Sequence, residues 1–194
     1  MTCRTPLVAL CVLLTSACRV TWAEAQPLSP AEPPAVRAEM LPNGLRLIVK
    51  EDHSLPLAAL ELWVRSGTGS EAEGQHGALH LLEHLAFKKR AGSAARPDEV
   101  IENLGATLEA ATSKDWVRFH TTVPAAAVDA ALRILAEVAS PPAIEAADLD
   151  RERAVIAQEM VRTLSEPLDA LLLRLASEAM TGPYARPSVG TPQD

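Results

Sequence analysis

The sequence predicts an α+β fold in which helices cover one side of an antiparallel β-sheet. Two observations lead to this prediction. Short apolar runs of strand length are bounded by turn-forming residues, and longer segments repeat apolar residues at the spacing of a helix. In chain order the segments read β-β-α-α-β-β-α-α-α, which is typical of an antiparallel sheet packed against helices. With 194 residues, 48% of them apolar, the chain is long enough to bury a core.

Four strands are predicted. Residues 41–44 (Leu-Pro-Asn-Gly) form a tight turn, because Asn-Gly tolerates positive φ. The apolar runs at 45–49 and 57–64 are expected to be adjacent antiparallel strands. A second pair of strands is expected at 106–112 and 116–123.

The remaining periodic segments predict helices at 77–88, 97–105, 124–139, 146–164 and 168–180. The second of them begins at a proline and ends at a glycine, which are common start and stop signals. The residues of the first helix that we expect to face the core are Leu79, Leu82 and Ala86.

The start of the chain predicts export. Arg4, a short apolar run and an Ala-Glu-Ala site at 23–25 are typical of a secretory signal peptide over residues 1–25. A Pro-rich linker would follow at 26–37, and the folded domain would occupy 38–194. In a bacterium the product would be periplasmic or attached to the outer membrane.

Cys18 allows a second interpretation of this leader. Small residues precede it, as in a bacterial lipoprotein box, so a lipid anchor at Cys18 is an open alternative. The other two cysteines, Cys3 and Cys11, also lie in the leader. The folded domain therefore has no disulfide and no thiolate ligand, and any metal must be held by His, Asp or Glu. The net charge of −7 and the lack of a basic stripe argue against a nucleic-acid partner.

The most informative motif is His80-Leu81-Leu82-Glu83-His84. Two histidines four residues apart lie on one face of a helix, about one turn from each other, so both imidazoles can reach one metal ion. Glu83 lies close enough to act on water at the same site. The pattern is the H-x-x-E-H signature of inverzincins.

A third ligand should come from another helix, because a catalytic zinc commonly has three protein ligands. Glu152 and Glu159 are seven residues apart, so they project from one helix face, which apolar neighbours indicate packs inward. Inward carboxylates require a cation or a donor. The alternative is an exposed salt-bridge pattern with Arg151 and Arg153.

With these motifs in place, the sequence resembles the pitrilysin/insulinase family of zinc peptidases. The resemblance extends over residues 38–194, well beyond the pentapeptide. The segments that carry it are Leu41-Pro42-Asn43-Gly44-Leu45, Glu71, Gly77, the motif itself, Phe87-Lys88, Thr112-Ser113-Lys114-Asp115, Glu152 with Glu159, Gly182-Pro183-Tyr184 and Gly190-Thr191.

The resemblance implies a role for each site residue. His80, His84 and Glu159 would bind one Zn²⁺ per chain, and Glu83 would be the general base that activates the attacking water. Glu152 would be a second catalytic residue, orienting a ligand or holding charge near the metal.

The resemblance also implies that peptide adds as a strand to a sheet edge, here at Ala110, Ala111 and Thr112. The sequence departs from the family at this place, since Glu109 stands where the family often has asparagine. That departure concerns substrate recognition and leaves the predicted metal ligands unchanged.

The sequence therefore predicts an exported zinc endopeptidase that hydrolyses peptides or unfolded proteins. One alternative is a non-catalytic peptide-binding or scaffold subunit, although such relatives typically lose the motif that survives here. The other is a half-enzyme. Family enzymes resemble two homologous halves, so we expect a chain truncated at its C-terminal end that needs a second half, in the missing part or on a partner subunit.

Overall fold

The computed structural model describes residues 35–88, 95–141 and 144–190. They fall into two compact units, one ending at Asp52 and one beginning at His53. The predicted signal peptide, including Cys18, lies outside the described residues, as does most of the predicted linker.

The first unit contains a β-hairpin. Strands β1 (Val36–Met40) and β2 (Arg46–Lys50) pair antiparallel, with Val36 opposite Lys50. The turn between them is the predicted Asn-Gly turn, in which Gly44 has a φ of +85°. The side chain of Asn43 accepts a hydrogen bond of 3.1 Å from the Leu45 backbone N–H.

The predicted pairing of residues 45–49 with 57–64 is wrong. β2 pairs with β1, a strand that the sequence analysis did not identify because its alternating charged residues are weak β-formers. A tight turn returns the chain onto the segment directly before it, so the nearest partner of β2 is the preceding segment.

The second unit is built on a three-stranded antiparallel sheet. Its strands are β3 (Leu57–Val64), β4 (Glu109–Thr112) and β5 (Val117–Pro124), in the spatial order β3-β5-β4. In the central strand alternate residues are buried, namely Val117, Phe119, Thr121 and Val123. This period of two identifies one face of the sheet as the core face.

In the described ranges, five α-helices complete this unit. They are α1 (Ala78–Ala86), α2 (Pro97–Asn103), α3 (Val128–Val138), α4 (Ala146–Ser165) and α5 (Pro167–Ala179). Side chains from α1, α2 and α3 pack with the core face of β5 in one hydrophobic cluster that includes Ala86, Ile101 and Leu135. The predicted α+β fold, with helices on an antiparallel sheet, is confirmed. None of the helices in the described ranges has the length and apolar character needed to cross a membrane.

Helix α1 differs from its prediction in one position. Leu79 packs against the core and Ala86 is buried, as expected, but Leu82 is 41% exposed. The buried residues of this helix are Glu83, Leu85 and Ala86, so Glu83 lies on the inward face where Leu82 was expected. A buried carboxyl group at that place is the first structural sign of a site.

Candidate metal centre

Helix α1 places the two motif histidines side by side. The rings of His80 and His84 have centroids 4.7 Å apart and are nearly perpendicular, at 83°. Their separation follows from the helix itself, because residues four apart are neighbours on one face.

The start of α1 is fixed by Glu71 and Gly77. The carboxylate of Glu71 accepts hydrogen bonds of 2.8 Å from the backbone N–H groups of Gly77 and Leu79. It thereby satisfies two of the free donors at the helix N-terminus, where negative charge is also favoured. Gly77 has a φ of +90°, and a Cβ there would lie 2.9 Å from the Val189 carbonyl oxygen. Only glycine fits this close approach.

Helix α4 brings the third predicted ligand to the histidines. Oε2 of Glu159 lies 3.7 Å from Nε2 of His80 and 3.5 Å from Nε2 of His84. Across the described ranges these three residues are the one group of three or more His, Cys, Asp or Glu side chains whose ligand atoms all lie within 4.8 Å of one another.

The three donors fit a zinc ion. Donor atoms about 2.0–2.2 Å from a tetrahedral zinc lie about 3.3–3.6 Å from one another, close to both measured separations. Two imidazole nitrogens and one carboxylate oxygen are also a ligand set that zinc accepts. Burial lowers the pKa of His80, and the neighbouring His84 lowers it further. Both causes favour the neutral imidazole that a metal requires.

Glu83 is buried beside these donors, at 9% exposure. Its Oε2 accepts a short hydrogen bond from the hydroxyl of Thr112 on β4. Burial raises the pKa of Glu83, although the Thr112 hydrogen bond and the charge of His84 act in the opposite direction. A carboxylate with a raised pKa in a partly closed site is suited to accept a proton.

Glu152 is the most enclosed acid of the site. Its Oε2 lies 3.0 Å from Nδ1 of His84, and its Oε1 lies 2.5 Å from Nζ of Lys88. Burial alone would raise the pKa of Glu152, but the hydrogen bonds and charges of Lys88 and His84 outweigh it and lower the pKa. The exposed salt-bridge alternative does not describe Glu152, and the nearby Arg151 pairs with Asp148 instead.

The three residues predicted to bind substrate lie on β4. This strand pairs with β5 along one side, and in the part of the chain that the structure describes its other side has no strand partner. Ala110 packs toward the core and Ala111 faces the opposite side of the sheet. Thr112 contacts Glu83 directly, so the strand edge and the predicted base adjoin.

The candidate centre opens into a pocket of about 420 Å³. The pocket lies between His80, in the first turn of α1, and the junction of α4 with α5. Its lining residues are His80, Glu159, Arg162, Thr163, Glu166, Asp169 and Val189. Charged side chains thus dominate the approach to the three donors.

The sequence analysis missed two contacts of the site. Lys88 was noted only as part of the Phe87-Lys88 resemblance, although it lies four residues after His84, a spacing that places both residues on one face of the helix predicted over 77–88. Thr112 was assigned to substrate, and its hydrogen bond to Glu83 could not be foreseen. The first contact has a signal in the spacing, whereas the second depends on how α1 packs on β4.

Comparison with known proteins identifies the family. The family model of insulinase (peptidase family M16) matches residues 46–192, so the chain belongs to this family. The predicted family is therefore confirmed.

Individual relatives cover most of this chain. It is 31% identical over 163 residues, 83% of its length, to a probable mitochondrial-processing peptidase subunit beta of Arabidopsis thaliana. A protease from Helicobacter pylori superposes with a TM-score of 0.75 at 27% identity, covering 81% of this chain and 39% of that one. An M16 inactive domain from Pseudomonas fluorescens has the same fold, with a TM-score of 0.69 at 22% identity, over 80% of this chain and 38% of that one. The chain spans about a third of the length of the curated relatives it matches.

Proposed function

We propose that this chain carries the catalytic centre of an exported zinc-dependent endopeptidase that hydrolyses peptides or unfolded proteins. The observation that supports the proposal best is the convergence of His80, His84 and Glu159 beside a buried Glu83. A peptidase of this family needs both parts, a metal-binding set and an acid that can accept a proton. The export part rests on the leader pattern at residues 1–25, and a lipid anchor at Cys18 remains its alternative.

Three side chains would hold the metal, through Nε2 of His80, Nε2 of His84 and a carboxylate oxygen of Glu159. When bound there, zinc supplies Lewis acidity, which polarises the scissile carbonyl and lowers the pKa of water. The proton transfers are carried out by side chains of the protein.

Glu83 is the proposed general base. It accepts a proton from the water that attacks the carbonyl carbon, and delivers that proton to the leaving nitrogen as the C–N bond breaks. The products are a carboxylic acid and an amine. The hydroxyl of Thr112 holds Glu83 toward β4. A peptide added along the free edge of β4, at Ala110, Ala111 and Thr112, would therefore run directly past the base.

A second half would complete the enzyme. The family relatives are longer than this chain, and one of them is named as a subunit of a processing peptidase. We therefore propose that a homologous half-domain, on the same protein or on a partner subunit, closes over the substrate.

The decisive experiment is hydrolysis of a pool of unstructured peptides by the zinc-loaded chain, with Glu83→Gln alongside. Glutamine keeps the shape of the side chain but cannot accept the proton, so we expect zinc content to stay near one per chain while cleavage falls at least ~100-fold. The exposed variant Glu73→Gln is the matched control and should cleave like the native chain.

The other outcomes separate the alternatives. Cleavage that persists in Glu83→Gln would contradict the assigned base. Zinc binding without cleavage by the native chain would indicate a half-enzyme, to be retested with the second half present. Failure to bind zinc would support the non-catalytic subunit.

A further inference from the structure

Lys88 lies just beyond α1, four residues after His84, and its side chain is only 19% exposed. Its Nζ lies 2.5 Å from Oε1 of Glu152, whereas Oε2 of the same carboxylate lies 3.0 Å from Nδ1 of His84. The Glu152 side chain is 7% exposed. Each oxygen of this enclosed carboxylate therefore has its own partner.

The chemistry of the three groups fixes the direction of both hydrogen bonds. An ammonium group can only donate and a carboxylate can only accept, so Nδ1 of His84 must carry the proton that it shares with Glu152. The lone pair of a neutral His84 is then on Nε2, the nitrogen that lies 3.5 Å from Oε2 of Glu159. The hydrogen bond from Nδ1 to Glu152 thus selects the tautomer of His84 whose Nε2 can bind a metal.

His84 alone would not hold the carboxylate in this orientation. The terminal torsion of a glutamate is broad, so one hydrogen bond leaves the plane of the carboxylate free to rotate. A buried carboxylate also requires a compensating partner, and Lys88 is the cation that lies against it. Two bonds to two different oxygens fix both the position and the plane of the group.

We propose that Lys88 is a positioning residue of the metal centre. It holds Glu152 so that the carboxylate keeps the proton on Nδ1 of His84 and directs Nε2 toward the metal. This inference rests on the proposed function for the identity of the metal, but the state of the His84 ring can be tested without any metal.

The test compares Lys88→Met with Lys88→Arg in the full chain. Methionine keeps much of the apolar stem and removes the charge, whereas arginine retains a donor that can reach a carboxylate. Competition with a chromophoric chelator should show zinc affinity about 10–100-fold lower in Lys88→Met. Lys88→Arg should remain within about threefold of the native chain. Lys50→Met removes an exposed lysine and controls for loss of charge alone.

The second measurement is the ¹⁵N NMR signature of His84 in the metal-free chain, which distinguishes Nδ1–H from Nε2–H tautomers. The chain has five histidines, so single substitutions can assign the signals. We expect an Nδ1–H signal in the native chain and in Lys88→Arg, and its loss or exchange broadening in Lys88→Met. A general loss of packing would not be rescued by arginine.

The outcomes separate this inference from the proposed function. If Lys88→Met binds zinc like the native chain and its His84 signal is unchanged, the inference is wrong. If the native chain binds no zinc, the proposed function fails, and the His84 signals of the metal-free variants still decide the role of Lys88. If Lys88→Met does not fold by circular dichroism, Lys88→Leu, which also has no donor, replaces it. A His84 signal in Lys88→Leu that matches the native one would then overturn the inference.

Discussion

The two glutamates of α4 share one face of the helix but occupy different environments. The Glu152 side chain is 7% exposed and is held by Lys88 and His84, whereas the Glu159 side chain is 43% exposed and lines the pocket. The seven-residue spacing explains why both side chains project from the same helix face, but it does not explain why one is buried and the other exposed. In the proposed metal centre, Glu152 at the enclosed end would hold His84 in place, and Glu159 at the open end would itself be a ligand.

The largest effect that would test this comparison is on zinc affinity. Glu152→Gln should weaken zinc binding by about 10–100-fold, because it loosens His84 without removing a donor to the metal. Glu159→Gln should weaken it further, because a charged ligand is lost. Zinc titration of both variants against the native chain measures the order.

If Glu152→Gln weakened zinc binding more than Glu159→Gln, the two residues would exchange their proposed roles as positioning residue and ligand. Glu166→Gln provides a control, since this residue lines the same pocket without lying in the group of three donors. Its zinc affinity should match that of the native chain.

Stability of the metal-free chain should show the opposite ranking. Glu152→Ala leaves the partly buried Lys88 without its carboxylate and should lower the free energy of unfolding by about 2–3 kcal/mol. Glu159→Ala removes a half-exposed acid and should change it by less than about 0.5 kcal/mol. Urea unfolding of the two metal-free variants gives both values.

Equal losses in the two variants would mean that the enclosure of Glu152 has no energetic consequence. Asp150→Ala, at an exposed position of the same helix, is the control for helix propensity alone.

The smallest effect concerns the pH dependence of that stability. Burial lowers the pKa of His80, so its contribution is present above the ordinary histidine pKa of ~6.5 and is lost as the pH falls through the lowered value. The pKa of Glu152 is also lowered, against the effect of burial, by Lys88 and His84. Its contribution is lost only at pH values below the ordinary glutamate range of ~4.3.

Urea unfolding of the metal-free chain between pH 7.5 and 3.5 measures the loss of stability expected from His80 and from Glu152. His80→Gln should flatten the decline near pH 6, and Glu152→Gln should flatten the decline at lower pH. A decline at pH 6 that survives in His80→Gln would show that another group titrates there.

Local geometry explains which parts of the site could be predicted. The pairing of His80 with His84 needs only the four-residue spacing of a helix, and the turn at Asn43-Gly44 needs only a residue that accepts positive φ. Both are properties of a few neighbouring residues. The predicted partner of β2 was wrong although the true partner is equally local, because the charged residues of β1 concealed a strand directly before the turn.

Local sequence could not predict how deeply each of the two α4 glutamates is buried. The sequence placed Glu152 and Glu159 on one face but gave no reason for one to be enclosed and the other open. Leu82 was likewise assigned to the core although it is 41% exposed, and the burial of Glu83 was not predicted, because the exact rotation of α1 against the sheet is a property of packing.

The sequence by itself determined the family, the fold class and the types of residue that can bind a metal, because these follow from motif spacing and periodicity along the chain. Only the tertiary structure decided that Glu159 reaches the two histidines, that Thr112 contacts Glu83, and that Lys88 and His84 divide the oxygens of Glu152. Those contacts join α1 to α4 and β4. They form where separate elements pack, and the local sequence of each element does not predict them.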